Sequence, residues 1–251
     1  MFPGVKENLG RTESRPFAHD VSKALLQKLH QASSPETARL LRAFFKTGPG
    51  QYGEGDIFIG VKIPVIRRLL PQGDALSPTQ IESMLHSGIH EERLLALLIW
   101  VRHYQRGDLN QKKYINSLYL KNTRWINNWD LVDLSAYHIL GHWLLDQPRG
   151  ILHQLAHSPL LWERRIAIVS TFALIRENQF EDTLNLCAGL LQDREDLMHK
   201  ACGWMLRELG KRDEKVLRQF LDQHRSEMPR TMLRYAIEKF PEPLRQRYLR
   251  S

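Results

Sequence analysis

From about residue 19 to the C-terminus, the sequence is a nearly unbroken series of helical patterns, each stopped after a few turns by proline, glycine or serine. Breaks fall at Ser33-Ser34-Pro35, Gly48-Pro49-Gly50, Pro71-Gln72-Gly73, Ser77-Pro78, Ser87-Gly88, Gln147-Pro148, Ser158-Pro159 and Met228-Pro229. Proline is tolerated only in the first turn of a helix, so several of these breaks also read as starts. Ser34-Pro35-Glu36 and Ser77-Pro78-Thr79-Gln80 each put a capping serine before a first-turn proline, the second with Gln80 at capping-box distance. No alternating apolar run bounded by hairpin turns stands out. Short helices joined by short breaks bury their apolar stripes only against one another, which predicts an all-α fold of stacked helical hairpins.

The spacing of unusual residues points to a repeat. Trp129 and Arg165 are 36 positions apart, and Arg165 and Trp204 are 39 apart. HEAT and armadillo repeats run at roughly 40–47 residues, with tighter periods elsewhere. A HEAT-like helical-repeat solenoid follows, in which equivalent positions line one concave surface. Residues 1 to about 18 are polar and rich in mixed charge, so they read as a flexible tail, leaving 19–251 as a single repeat domain.

Charge narrows the partner. Thirty-six Lys and Arg against 28 Asp and Glu give a net +8 and a pI near 9.6. That excess favours a polyanion, nucleic acid above all, or an anionic membrane surface. No segment is long and apolar enough to cross a bilayer, and the N-terminus lacks the apolar core of a signal peptide. Two cysteines, Cys187 and Cys202, sit in apolar helical patterns and read as small core residues in an intracellular, reducing location.

Three helices carry residues that packing alone explains poorly. Around Asp133, Val132, Ala136, Ile139 and Trp143 step by 4, 3 and 4 and define a buried stripe. Trp129, Asp133 and Tyr137 form the neighbouring stripe, at the core edge. An indole with a carboxylate one turn away suits a cation held there, whereas a structural pair would cap or bind a neighbouring Arg. In Trp162-Glu163-Arg164-Arg165-Ile166, Arg165 lies near a helix start, where a cation opposes the macrodipole. It needs an acidic partner, from Glu163 or a neighbouring repeat, or a bound phosphate. Finally, Lys200, Trp204, Arg207 and Lys211 step by 4, 3 and 4 opposite the apolar Ala201, Met205 and Leu209. Such a row suits phosphate contacts with an aromatic among them; the alternative is a solvated charged face. Arg230, Arg234, Arg245, Arg247 and Arg250 extend the basic character.

Metal chemistry is poorly supported. His86/His90 and His138/His142 are i, i+4 pairs, but no third ligand stands at a defined place, and His90-Glu91 is a lone His-Glu dipeptide. The Gly-rich stretch from Gly48 lacks the Gly-Lys-Ser/Thr ending of a phosphate-binding loop, and reads as an ordered connection packing Tyr52, Ile57 and Phe58 under the first repeats.

Taken in order, four blocks resemble the AlkD-like DNA alkylation repair glycosylases, which are built from HEAT-like repeats. They are Phe-Ile-Gly-Val-x-Ile-Pro-x-x-Arg at 58–67, Trp-Asp-x-Val-Asp at 129–133, Trp-Glu-Arg-Arg-Ile-Ala-Ile at 162–168 and Lys-Ala-x-Gly-Trp-x-Leu-Arg-Glu at 200–208. The resemblance spans roughly Thr37 to Arg234. It implies a curved α-solenoid cradling duplex DNA, with no metal or cofactor. It also implies an active site of Trp129, Asp133, Arg165 and Trp204, in which Arg165 clamps a phosphate and the base is released without flipping into a pocket. Double-stranded DNA with alkylated bases is the implied partner of a monomer, cytoplasmic or on the nucleoid. Arg164, Lys200, Arg207, Lys211, Arg234 and Phe44 are the expected DNA contacts, Phe44 or Phe45 being the counterpart of an N-terminal aromatic in relatives. Asn128 departs from those relatives, which carry a second aromatic before the tryptophan.

Overall fold

A computed structural model describes residues 16–250. Most of the stretch expected as a tail, residues 1–15, lies outside them; the first helix begins at Pro16. The described chain is all-α. Its helices are α1 (Pro16–Gln31), α2 (Pro35–Phe44), α3 (Ile63–Leu69), α4 (Pro78–Leu85), α5 (His90–Arg106), α6 (Leu109–Lys121) and α7 (Trp129–Asp133), then α8 (Gly150–Ala156), α9 (Leu161–Arg176), α10 (Glu181–Gly189), α11 (Asp196–Arg212), α12 (Glu214–His224), α13 (Arg230–Ala236) and α14 (Glu242–Leu249). Among the described residues the only β pairing is one isolated parallel bridge between Ile57 and Ile89.

The chain forms a helical-repeat solenoid of two layers. In one layer α5, α7 with the turn after it, α9, α11 and α13 pack side by side in chain order. In the other, α4 and α6 lie on α5, α8 on α9, α10 on α9 and α11, and α12 on α11. A helix in the first layer therefore has neighbours on three sides and needs apolar residues nearly all round. Leu94 through Val101 of α5 and Ile166 through Thr171 of α9 are accordingly buried without a break. At the contact of α11 with α13 the backbones approach closely: a β-carbon on Gly203 would lie 2.5 Å from both the Met232 carbonyl oxygen and Tyr235 Cβ.

Local signals act as their chemistry requires. The Ser34 hydroxyl accepts from the Thr37 amide at 3.2 Å, and Ser77 forms a full capping box with Gln80. The segment after Asp133 departs from expectation. Its periodicity predicts one regular helix with Trp143 in the buried stripe. Instead α7 ends at Asp133 and a π-helical turn takes over at Tyr137–Gly141. Val132, Ala136 and Ile139 are fully buried, but the wider turn rotates the residues beyond it, and Trp143 is only half-buried.

The end of the Gly-rich connection is held by one side chain. Glu91, the second residue of α5, accepts from the amides of Ile59, Gly60 and Val61 at 2.8–3.2 Å. Gly60 lies at φ +87°, where a β-carbon would meet the Ser34 carbonyl oxygen at 2.1 Å. Phe58 is buried and Tyr52 half-buried, as expected, but Ile57 is 56% exposed. Its backbone carbonyl is used instead, accepting from the His90 amide at 2.8 Å.

Candidate active site

Asp133 closes α7 at the edge of the core, and its side chain is 17% exposed. Arg165, the fifth residue of α9, reaches across the layer and grips it with two parallel bonds, Nε to Oδ1 at 2.9 Å and Nη2 to Oδ2 at 2.8 Å. The other arm of the guanidinium donates to the Leu197 carbonyl at 2.6 Å. The cation near a helix start thus has its acidic partner, supplied by the neighbouring repeat. Nearly buried and engaged on both arms, Arg165 holds the carboxylate in this structure instead of presenting its fork to a phosphate. Burial raises the Asp133 pKa above the usual carboxylate range; Arg165 opposes the shift, and the nearby Asp130 adds to it.

The expected edge stripe is realised: Trp129, Asp133 and Tyr137 are all half-buried. One face of Trp129 stacks on Phe45 at 4.9 Å between ring centres, with 13° between planes. The column continues through Phe58, 4.9 Å from Phe45, to His90, 4.3 Å from Phe58. Phe44 meets Trp129 edge-on at 5.7 Å and is 63% exposed, whereas Phe45 is 6% exposed. The structure thereby separates the two candidates: Phe44 faces solvent and Phe45 supports the indole. A separate chain of rings links Tyr137 to Trp204, with Tyr137 edge-on to Phe172 at 5.2 Å and Phe172 6.1 Å from Trp204.

The basic row is present but paired. Lys200 binds Asp196 at 2.8 Å, Lys211 binds Glu208 at 2.8 Å, and Arg207 contacts Glu208 and Glu238. Arg164 binds Asp193 at 2.7 Å and donates to the carbonyls of Ser158 and Pro159. Arg234 is exposed and has no ion pair among the described residues. Asp133, Arg165, Lys200 and Arg234 are each the fifth residue of their helices in the first layer.

Sequence reasoning missed the cluster beneath Trp129. His90 is buried and bonded on both ring nitrogens, to Asp56 at 2.8 Å and Asp130 at 2.9 Å. Arg93 completes the cluster on Asp56. Burial disfavours the imidazolium, but Asp130 and then Asp56 outweigh it and push the His90 pKa up to about 9. Asn128, fully buried, accepts from the Trp129 amide at 2.8 Å and donates to Asp56 at 3.0 Å. Its departure from an aromatic thus has a reason: an amide here ties α7 to the loop. A signal was in plain view, since Asp130 lies inside the Trp-Asp-x-Val-Asp block and His90 in the lone His-Glu dipeptide. The other paired histidines meet polar partners too: His86 and Asn122 at 2.6 Å, His142 and the Tyr104 hydroxyl at 3.3 Å, His138 and Gln105 at 3.3 Å.

Comparison with known proteins gives this geometry a context. No curated protein matches the chain. Among solved structures, a predicted DNA alkylation repair enzyme from Enterococcus faecalis has a similar fold, with a TM-score of 0.67 and 18% identity over 84% of this chain and 97% of that one. The sequence profile of the DNA alkylation repair enzymes matches residues 25–240, nearly the whole two-layered array. The chain belongs to the DNA alkylation repair enzyme family.

Proposed function

We propose that the protein is a monofunctional DNA glycosylase that releases cationic alkylated purines, such as 3-methyladenine and 7-methylguanine, from duplex DNA. One observation carries the reading: Asp133 is a partly exposed carboxylate, fixed at both oxygens by Arg165, four residues along α7 from the half-buried Trp129. An N-alkylated purine already bears positive charge, so it leaves with the glycosidic electron pair as a neutral base and needs little acid help. The sugar becomes cationic at C1′ as that bond breaks. A preorganised anion stabilises the developing charge without reorganising at the moment of reaction. A water held by Asp133 adds its oxygen to C1′ and gives up a proton, leaving an abasic sugar. Trp129 and Trp204 flank the sugar, keep solvent away and add cation–π attraction. Arg165 acts as a positioning residue, keeping the carboxylate aimed.

Lys200, Arg207, Lys211, Arg164 and Arg234, with the exposed Phe44, are assigned to the DNA surface. Exchanging the exposed partners Asp196 of Lys200 and Glu238 of Arg207 for a phosphate costs little, since surface ion pairs are worth roughly 0–1 kcal/mol. The base stays in the helix instead of entering a pocket, and the protein works as a monomer. The test is direct: incubate the protein with methylated duplex DNA and identify released bases by mass spectrometry. Free 3-methyladenine or 7-methylguanine is expected. Salt-sensitive duplex binding with no release would instead make it a noncatalytic DNA-binding repeat protein.

A further inference from the structure

Beside the Asp133 site, a cleft of about 420 Å3 opens between the loop ahead of α7 and the start of α9. Its size falls among clefts for small organic ligands, about 300–1,000 Å3. Tyr52, Arg124, Asn127, Leu160, Trp162 and Glu163 line it. The Tyr52 and Trp162 rings meet edge-on at 6.1 Å. Tyr52 also joins the cleft to the candidate active site, because its hydroxyl donates to the carbonyl of Phe44, which packs on Trp129.

Three further observations specify the occupant. The side-chain carbonyl oxygen of Asn127, two residues before Trp129, is buried without a hydrogen-bond partner. Such an orphaned acceptor is uncommon and calls for an explanation; a donor on a ligand would supply one. Lys46 lies over the Tyr52 ring at 5.9 Å and Arg124 over the Trp125 ring at 5.3 Å. Both are exposed, and unlike the Lys200–Lys211 row neither has a carboxylate partner among the described residues. Glu163 is already held by the hydroxyls of Thr123 at 2.6 Å and Ser158 at 2.5 Å. A flat ring system with N–H donors and a phosphate on each side fits these demands together.

We propose that this cleft takes one unstacked nucleobase of the bound duplex. The base lies on the Trp162 indole against Tyr52, donates to Asn127, and leaves its flanking phosphates to Arg124 and Lys46. The inference rests on the reading of the protein as a DNA-repair enzyme and adds a second contact, to a base freed from its pair. That base is the partner of the alkylated nucleotide on the complementary strand, since the alkylated base itself stays in the helix.

Fluorescence anisotropy with four duplexes tests this: one fully paired, one with an abasic analogue opposite the alkylated nucleotide, one with the abasic analogue in place of that nucleotide, and one abasic on both strands. The duplex abasic at the alkylated position, which leaves the complementary base unpaired, is expected to bind roughly tenfold tighter than the paired and doubly abasic ones, a base stack being of that order. A preference for the duplex abasic opposite the alkylated nucleotide would overturn this assignment. Trp162→Ala should erase the preference while leaving paired-duplex affinity in place, and Trp162→Phe, which keeps a ring, should restore most of it. Equal binding of all four duplexes overturns the cleft while leaving the enzyme reading intact. So does a Trp162→Ala loss that is the same for each. No binding to any duplex overturns both.

Discussion

At the scale of single residues, Asp133 and Arg165 behave as one unit. Asp133→Asn keeps the shape and removes the charge, so duplex affinity should hold while base release falls by at least about a hundredfold. Single-turnover release by the variant at the parent rate would end its assignment. Ionisation gives a second handle. Burial raises the Asp133 pKa, and the proposed chemistry needs the carboxylate charged, so release should fail on acidification at a pH above the ordinary carboxylate range. Arg165 holds that pKa down, so in Arg165→Leu the acid limb should move to still higher pH. A pH–rate profile that does not move would separate the two residues.

At the scale of elements, stability should depend on joints that propensity does not describe. The His90 cluster ties the Gly-rich loop, α5 and α7 into one buried knot. With its pKa raised from 6.5 to about 9, His90 contributes stability that is complete below about pH 6.5 and lost as pH climbs through about 9. The shift corresponds to roughly 3 kcal/mol. Urea denaturation should therefore show stability declining across that window, and His90→Gln should flatten the decline. At the α11–α13 joint, Gly203→Ala inserts a methyl group where backbone and Tyr235 already sit, and should cost about 1–3 kcal/mol in the same assay.

At the scale of the molecule, net charge and local pairing work against each other. The +8 excess draws the protein toward duplex DNA, yet much of the expected contact row is held by its own carboxylates. Glu238→Gln removes the more exposed of the two carboxylate partners of Arg207, leaving Glu208, and should strengthen duplex binding at low salt. It should steepen the dependence of log affinity on log salt by up to about one unit, near 0.9 per phosphate neutralised. An unchanged slope would place Arg207 off the DNA surface.

The sequence by itself determined the all-α array, its helix starts and the edge position of Trp129, Asp133 and Tyr137. Those rest on short-range rules of periodicity, capping and proline geometry. It offered two partners for Arg165 and two aromatics for one place, because pairing across repeats depends on how helices more than 30 residues apart settle together. Tertiary structure decided that Arg165 holds Asp133, that Phe45 braces the indole while Phe44 faces solvent, and that Trp143 leaves its stripe at a π turn. It also built the His90 cluster from Asp56, Asn128 and Asp130, residues 34 to 40 positions from their histidine. Buried polar groups take whichever complementary partner the packed layers bring within reach, and that choice is made in three dimensions.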